Sequence, residues 1–420
     1  MWNPFRNFME KLQNLFRNLP IFASNTENME RLYTLYHFLL SRTETTFLRY
    51  LYSQIDWKSR LVVIEGARGV GKTTMVLQRI KLSGESDTSL YIDAGHTYFS
   101  SNSLYDLVET FYKNGGKCIY IDEVHKYETW SREVKMMYDY LPELKIVLTG
   151  SSLLSIKKGV DADLSRRAIE YTLHGLSFRE FLFLSEGISV PKYSLDEIVA
   201  GKVDISEGVP FPIPMFHKFL TVGDYPFFSI DNYQIRLDNV VNQTLEVDIP
   251  QYAKMNASAI VKLKKLLNII SQSVPFKPNF SEIARSLEVD RATASTYMTY
   301  IEKSGLIRQL HTADTGMKIL EKVDKVYLAN TSLVYALAEN APEIGNVRET
   351  FFFAQTSVCH TVASADANGD FRIGDYCFEV GGRSKKQKQI KDIPNSFAVK
   401  DDIDFPGYRT IPLWNFGLMY

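Results

Sequence analysis

The chain has 420 residues, 45% hydrophobic and 23% charged, with a formal net charge of -1. That length exceeds one ordinary core and predicts roughly two to four compact units, and the composition excludes a long low-complexity or disordered protein. A charge near zero excludes whole-molecule attraction to nucleic acid and leaves only local patches, while three cysteines without metal-ligand spacing, Cys118, Cys359 and Cys377, exclude a disulfide scaffold and predict a cytoplasmic protein.

No apolar run approaches the roughly 18 residues of a membrane span, and the charged beginning lacks a signal peptide's apolar stretch. Met1 to Leu19 sets Trp2, Phe5, Phe8, Leu12, Leu15, Phe16 and Leu19 at helical spacing. This extension (residues 1–28) reads as a helix packed on its own protein, a stretch ahead of a start at Met29, or a membrane-surface or partner helix. A helical period then runs from Met29 to about Tyr52.

The first strand is Leu61-Val62-Val63-Ile64, followed by Leu90-Tyr91-Ile92, Cys118-Ile119-Tyr120-Ile121 and Lys145-Ile146-Val147-Leu148, with helical patterns between them. Short apolar runs alternating with helices predict an α/β domain, a parallel sheet with helices on both faces, over residues 29–185. Directly after the first strand comes Gly66-Ala67-Arg68-Gly69-Val70-Gly71-Lys72-Thr73, a phosphate-binding P-loop, with Thr74 continuing into the helix that carries it. Backbone N–H groups and a helix N-terminus surround phosphates there, and the glycines let the chain approach closely. The loop predicts a bound nucleoside triphosphate and leaves its base open, with Lys72 on its outer phosphates and the Thr73 hydroxyl on Mg2+.

The third strand ends in Asp122-Glu123. Magnesium on phosphate needs a carboxylate at its far side, which assigns Asp122 to the metal and Glu123 to the attacking water, and together they predict hydrolysis of the terminal phosphate. The fourth strand ends in Thr149-Gly150-Ser151-Ser152; Thr149 and Ser151 are candidate sensors of the terminal phosphate, or turn residues capping the next helix. Farther on, Arg166-Arg167 offers an arginine for transition-state charge, in its own or a neighbouring subunit of a homo-oligomer, or for a surface carboxylate.

The P-loop, Asp122-Glu123-Val124-His125-Lys126 with Trp130, Leu148-Thr149-Gly150-Ser151-Ser152, Arg167 and Leu176-Ser177-Phe178-Arg179-Glu180-Phe181 together resemble the prokaryotic AAA-superfamily ATPases with a C-terminal domain of unknown function. The resemblance implies a winged-helix unit and then a restriction-endonuclease-like fold. Two departures stand out. Arg166 takes the place of the glycine that usually precedes the arginine matching Arg167, and in Gly223-Asp224-Tyr225-Pro226 Asp224 replaces the second glycine of a Gly-Gly-Tyr-Pro-like signature.

From Gly187 to Phe228 prolines and glycines predict a connecting region, within a helical linker or lid over residues 186–255. In residues 256–312, Ser281 to Leu287, a turn at Glu288-Val289-Asp290, and Arg291 to Ser304 read as helix-turn-helix, with Ala294, Tyr297 and Ile301 buried. Its outward face, Arg291, Ser295, Thr296, Thr299 and Lys303, is either a DNA-reading surface or that of a lid or docking unit. In residues 313–420, Phe371-Arg372-Ile373 and Tyr376-Cys377-Phe378 flank a Gly374-Asp375 turn, and counting outward opposes Asp370 to Glu379. Two opposed carboxylates make that pair a candidate second metal site. Here the resemblance adds an earlier helical glutamate, matched by Glu349, and a lysine two residues after Glu379; this chain has Gly381 there, a loss that favours a degenerate nuclease unless Lys385 or Lys386 substitutes.

Overall fold

The computed structural model describes residues 20–150, 167–312, 323–365, 369–386, 390 and 392–420. They fall into two compact units, one within Met1–Gly66 and Gly71–Leu173, the other within Ala67–Val70 and His174–Tyr420. No helix among the described residues is long and apolar enough to cross a membrane.

In the first unit β1 (Leu61–Glu65), β2 (Ser89–Asp93), β3 (Cys118–Asp122), β4 (Lys145–Gly150) and β5 (Ile169–Thr172) pair in the order β2-β3-β4-β1-β5. Every pairing is parallel. β1 and β3 are buried at all positions, as a sheet covered on both faces requires, which is why they read as unbroken apolar runs. The order puts β4 between the P-loop strand β1 and the acid-bearing strand β3, so Thr149 at the end of β4 falls beside Asp122.

Helices α1 (Pro20–Arg42), α2 (Lys72–Ser83), α3 (Leu104–Lys113) and α4 (Trp130–Tyr140) belong to this unit. α3 shows how locally the sequence sets an element: Ser103 accepts the Asp106 amide at its N-cap, and Leu104, Leu107, Val108 and Phe111 form the buried stripe. The helix expected over Met29 to Tyr52 is corrected to Pro20–Arg42, followed by a 3-10 turn at Tyr50–Ser53. The chain leaves the helix at Thr43, whose hydroxyl back-bonds to the Leu39 carbonyl at 2.9 Å, ahead of Thr45 and Thr46, residues that favour non-helical backbone.

The second unit begins with α5 (Phe178–Glu186), α6 (Leu195–Val199), α7 (Pro212–Val222), α8 (Tyr233–Gln243), α9 (Ile249–Ala253) and α10 (Ala257–Ser271). The prolines read as connectors mark a helix start instead, since Pro212 occupies the first turn of α7, where its missing N–H has no helical partner to lose. α5 opens with a capping box between Ser177 and Glu180. The Ser177 hydroxyl also donates to the Tyr420 carbonyl oxygen at 2.7 Å, and Arg179 Nε donates to the same oxygen at 2.9 Å.

Where the helix-turn-helix was expected stand α11 (Phe280–Leu287) and α12 (Arg291–Lys303), with Glu288 at φ +53° in the turn and Asp290 capping α12. Ala294, Tyr297, Met298 and Ile301 are buried, while Arg291, Ser295, Thr296 and Lys303 are exposed and Thr299 is half-buried. An antiparallel pair, β6 (Ile307–His311) and β7 (Val323–Leu328), follows. After α13 (Thr331–Leu337) and α14 (Ile344–Thr356), strands β8 (Ala363–Ser364), β9 (Phe371–Ile373), β10 (Tyr376–Gly381), β11 (Ser396–Lys400) and β12 (Thr410–Pro412) form a sheet in the order β12-β11-β10-β9-β8. β8, β9 and β10 pair antiparallel, β10, β11 and β12 parallel. Phe352 of α14 fixes that helix to the sheet, its ring 5.0 Å from Phe371, 5.3 Å from Phe378 and 4.7 Å from Phe416.

Candidate active site

The P-loop runs from the end of β1 into α2, and two of its glycines adopt backbone that side-chain-bearing residues avoid, Gly69 at φ +86° and Gly71, the N-cap of α2, at φ +97°. Lys72, in the first turn, is 5% exposed, and its ammonium donates to the Gly66 carbonyl at 2.8 Å. The lysine thus reaches back to the residue that opens the loop. Thr73 and Thr74, at the exposed start of α2, put hydroxyls beside the α2 N-terminus, where the helix dipole favours anions. Arg68 forms a two-pronged ion pair with Asp248, Nε to Oδ2 at 3.2 Å and Nη2 to Oδ1 at 2.9 Å.

The Asp122 carboxylate, 3% exposed, is the centre of the site. Its Oδ2 accepts the Thr73 hydroxyl at 2.6 Å and the Tyr91 hydroxyl at 2.7 Å. Its Oδ1 accepts the Glu123 amide at 3.0 Å and, in a short contact, the Thr149 hydroxyl. Tyr91, Thr149 and Thr73 come from β2, β4 and α2, so three elements converge on one carboxylate. Burial and the neighbouring Asp122 charge push the Tyr91 phenol far above its ordinary range, which leaves it a permanent donor.

Glu123 takes φ +49°, a strained backbone for a residue with a side chain, and its Oε2 lies 3.3 Å from Lys126 Nζ and 3.9 Å from His125 Nε2. A side chain at position 95 would bring its Cβ to 2.6 Å from the Lys126 Cδ, so Gly95 makes the room that the lysine stem occupies. Sequence reading gave neither Tyr91 nor Lys126 a role in the site. Of the sensor candidates Thr149 reaches Asp122, whereas Ser151, Ser152 and Arg166 lie outside the described residues. Arg167 pairs with Asp139, Nη2 to Oδ1 at 3.3 Å, and lies over the Tyr138 ring.

In the second unit Glu349, carried by α14, accepts the Tyr327 hydroxyl at 2.7 Å, and Lys325 lies 3.4 Å from Glu349 and 4.0 Å from Asp370. Burial first, then the Asp370 charge, raise the Glu349 carboxyl above its usual range. Asp370 Oδ2 accepts the Val380 amide at 2.8 Å. Glu379 is 1% exposed, and Lys385 Nζ lies 3.0 Å from its Oε1. A Cβ at position 381 would fall 2.7 Å from Lys385 Cγ, so the missing side chain of Gly381 is what lets Lys385 reach Glu379. Of the two lysines weighed, Lys385 therefore makes the contact. A separate group, His217, Asp401 and Asp402, is bridged by Arg348, which contacts Asp401 Oδ2 at 2.9 Å and Asp402 Oδ2 at 3.4 Å, so a guanidinium already balances those carboxylates.

Residues 58–182 match the AAA domain family, and residues 215–343 match a domain of unknown function, DUF8612. The P-loop, Asp122 and Thr149 all fall inside the AAA match. Among curated proteins the chain is 23% identical over 291 residues to the uncharacterized protein MJ1637 of Methanocaldococcus jannaschii, covering 64% of this chain and 60% of that protein. The chain thus matches less than two thirds of that relative's length. Among solved structures, the Walker-type ATPase PABY2304 of Pyrococcus abyssi is 15% identical, covers 67% of this chain and 91% of its own, and superposes with a TM-score of 0.41. AMPPCP-bound DnaA from Aquifex aeolicus is 15% identical, covers 60% of this chain and 84% of its own, with a TM-score of 0.27.

Proposed function

We propose that this chain binds ATP with Mg2+ through Gly66 to Thr74 and hydrolyses it, with Glu123 as the residue that orients or deprotonates water. The observation that carries the reading is the Thr73 hydroxyl at 2.6 Å from the buried Asp122 carboxylate, directly behind a P-loop helix. Hydroxyl and carboxylate oxygens are the donors a small hard cation takes, so Thr73 and Asp122 fit Mg2+, which when bound neutralises and orients the phosphates. Lys72 would exchange the Gly66 carbonyl for the outer phosphate oxygens. Glu123 would have to turn from Lys126 before it could take a water proton. Thr149, tied to Asp122, would relay the state of the terminal phosphate. Arg167 would reach developing charge only by giving up Asp139.

Steady-state phosphate release tests this. Turnover that falls at least about 100-fold in Glu123→Gln, while ATP binding persists, and that is lost with binding in Lys72→Ala, supports hydrolysis. Tight binding with no measurable turnover in the unsubstituted chain supports the alternative, an ATP-gated switch or interaction scaffold.

For the remainder we infer a winged-helix unit from α11, α12 and the β6–β7 pair, and an endonuclease-like unit from α14 and the β8–β12 sheet, with ATP controlling their arrangement. A second reading, an ATP-regulated nuclease with a cation on Asp370 and Glu379, draws support from Lys385, which supplies the cationic group beside Glu379 that Gly381 does not.

A further inference from the structure

We propose that Tyr91 is a positioning residue of the ATP site, holding the Asp122 carboxylate in the one orientation in which it serves the Mg2+ of Mg-ATP. The inference rests on the ATP-binding reading and adds to it a residue that no P-loop or acidic-strand motif contains.

The argument begins with capacity. A carboxylate offers about four lone-pair positions, and Asp122 has four donors, Thr73 and Tyr91 on Oδ2, the Glu123 amide and Thr149 on Oδ1. No position remains for direct ligation unless a donor leaves. The Thr73 hydroxyl can give a lone pair to a cation while still donating its proton to Asp122 as a hydrogen bond, so the saturated carboxylate acts through that hydroxyl and through water. Such an acid must not rotate, because rotation would redirect the Thr73 proton. Thr149 from β4 and Tyr91 from β2 restrain it from the two strands flanking β3.

The strand register explains why a tyrosine can do this. Asp93 is paired with Asp122 and Tyr91 with Tyr120. Residues two apart share a sheet face, so Tyr91 stands diagonally from Asp122 on the same face, at a reach that a long aromatic side chain spans. The ring is 6% exposed and packed, so it delivers its hydroxyl with little conformational freedom.

Tyr91→Phe keeps the ring and deletes the donor. Fluorescent-nucleotide binding, titrated with Mg2+ and repeated in chelator, provides a readout independent of turnover. Affinity without metal should equal that of the unsubstituted chain, while the Mg2+ concentration at half-maximal strengthening should rise roughly ten- to a hundredfold, as loss of a hydrogen bond to a charged group implies. Thr149→Val, which removes the restraint from the other strand, should shift the same midpoint and serves if Tyr91→Phe does not fold. An unchanged Mg2+ midpoint in the folded variant overturns the proposal. An unsubstituted chain that binds no nucleotide overturns the ATP reading itself, a distinguishable result, and one that binds but does not hydrolyse leaves Tyr91's role intact.

Discussion

Asp224 shows how one substitution in a signature acquires a cost and a use. Its carboxylate is 4% exposed and accepts the Thr331 hydroxyl at 3.2 Å, the Ser332 hydroxyl at 3.3 Å and the Ser332 amide at 3.4 Å, at the start of α13. Burial nevertheless outweighs those bonds and pushes its pKa up to about 6. Because the folded chain holds this proton more tightly than the unfolded one, the contribution to stability is complete below about pH 4 and is lost as pH rises through about 6. Asp224→Asn should flatten the stability–pH curve between those values, by about 2–3 kcal/mol across the window, in denaturant titrations at fixed pH steps. An unchanged slope would mean that Asp224 ionises as in the unfolded chain.

Ser177 sits where an element is fixed at both ends of its chemistry. It caps α5 by accepting the Glu180 amide at 3.1 Å and donates to the Tyr420 carbonyl, with no exposure of its own. Ser177→Ala should cost about 2 kcal/mol, a lost cap plus a lost hydrogen bond to Tyr420, read as a fall in the midpoint of denaturant unfolding. The motif containing it was legible as sequence, but its partner was not, because Ser177 and Tyr420 are joined only by folding. The same division holds for the sheet. Strands β1 to β4 were readable because burial on both faces demands unbroken apolar residues, whereas their order, which sets Thr149 beside Asp122, is a matter of crossovers that no local pattern encodes. Tyr91 escaped notice because a tyrosine inside an apolar run looks like core. The available signal was its parity with Asp93, two residues on. Helix α1 was misjudged at both ends, since helical periodicity reports a face and is weak on boundaries.

For the whole molecule, a net charge of -1 means that binding to duplex DNA must be carried locally. The exposed face of α12 offers Arg291 and Lys303, few cations for a phosphate backbone. If it reads DNA, the full chain should be retained on duplex DNA at low salt, weaken steeply as salt rises and weaken further with Arg291→Ala. Incubating the same complexes with Mg2+ or Mn2+ tests the nuclease reading, which predicts cutting abolished by Glu379→Ala. Retention without cutting under either metal would leave a recognition scaffold. The volume shared by positions 381 and 385 also constrains how this protein can diverge. A long side chain at 381 and the Lys385 stem exclude each other, so in descendants of this chain the two sites must change as a pair, a lysine gained at one permitting its loss at the other, and the cation beside Glu379 can migrate along the sequence without leaving its place in space.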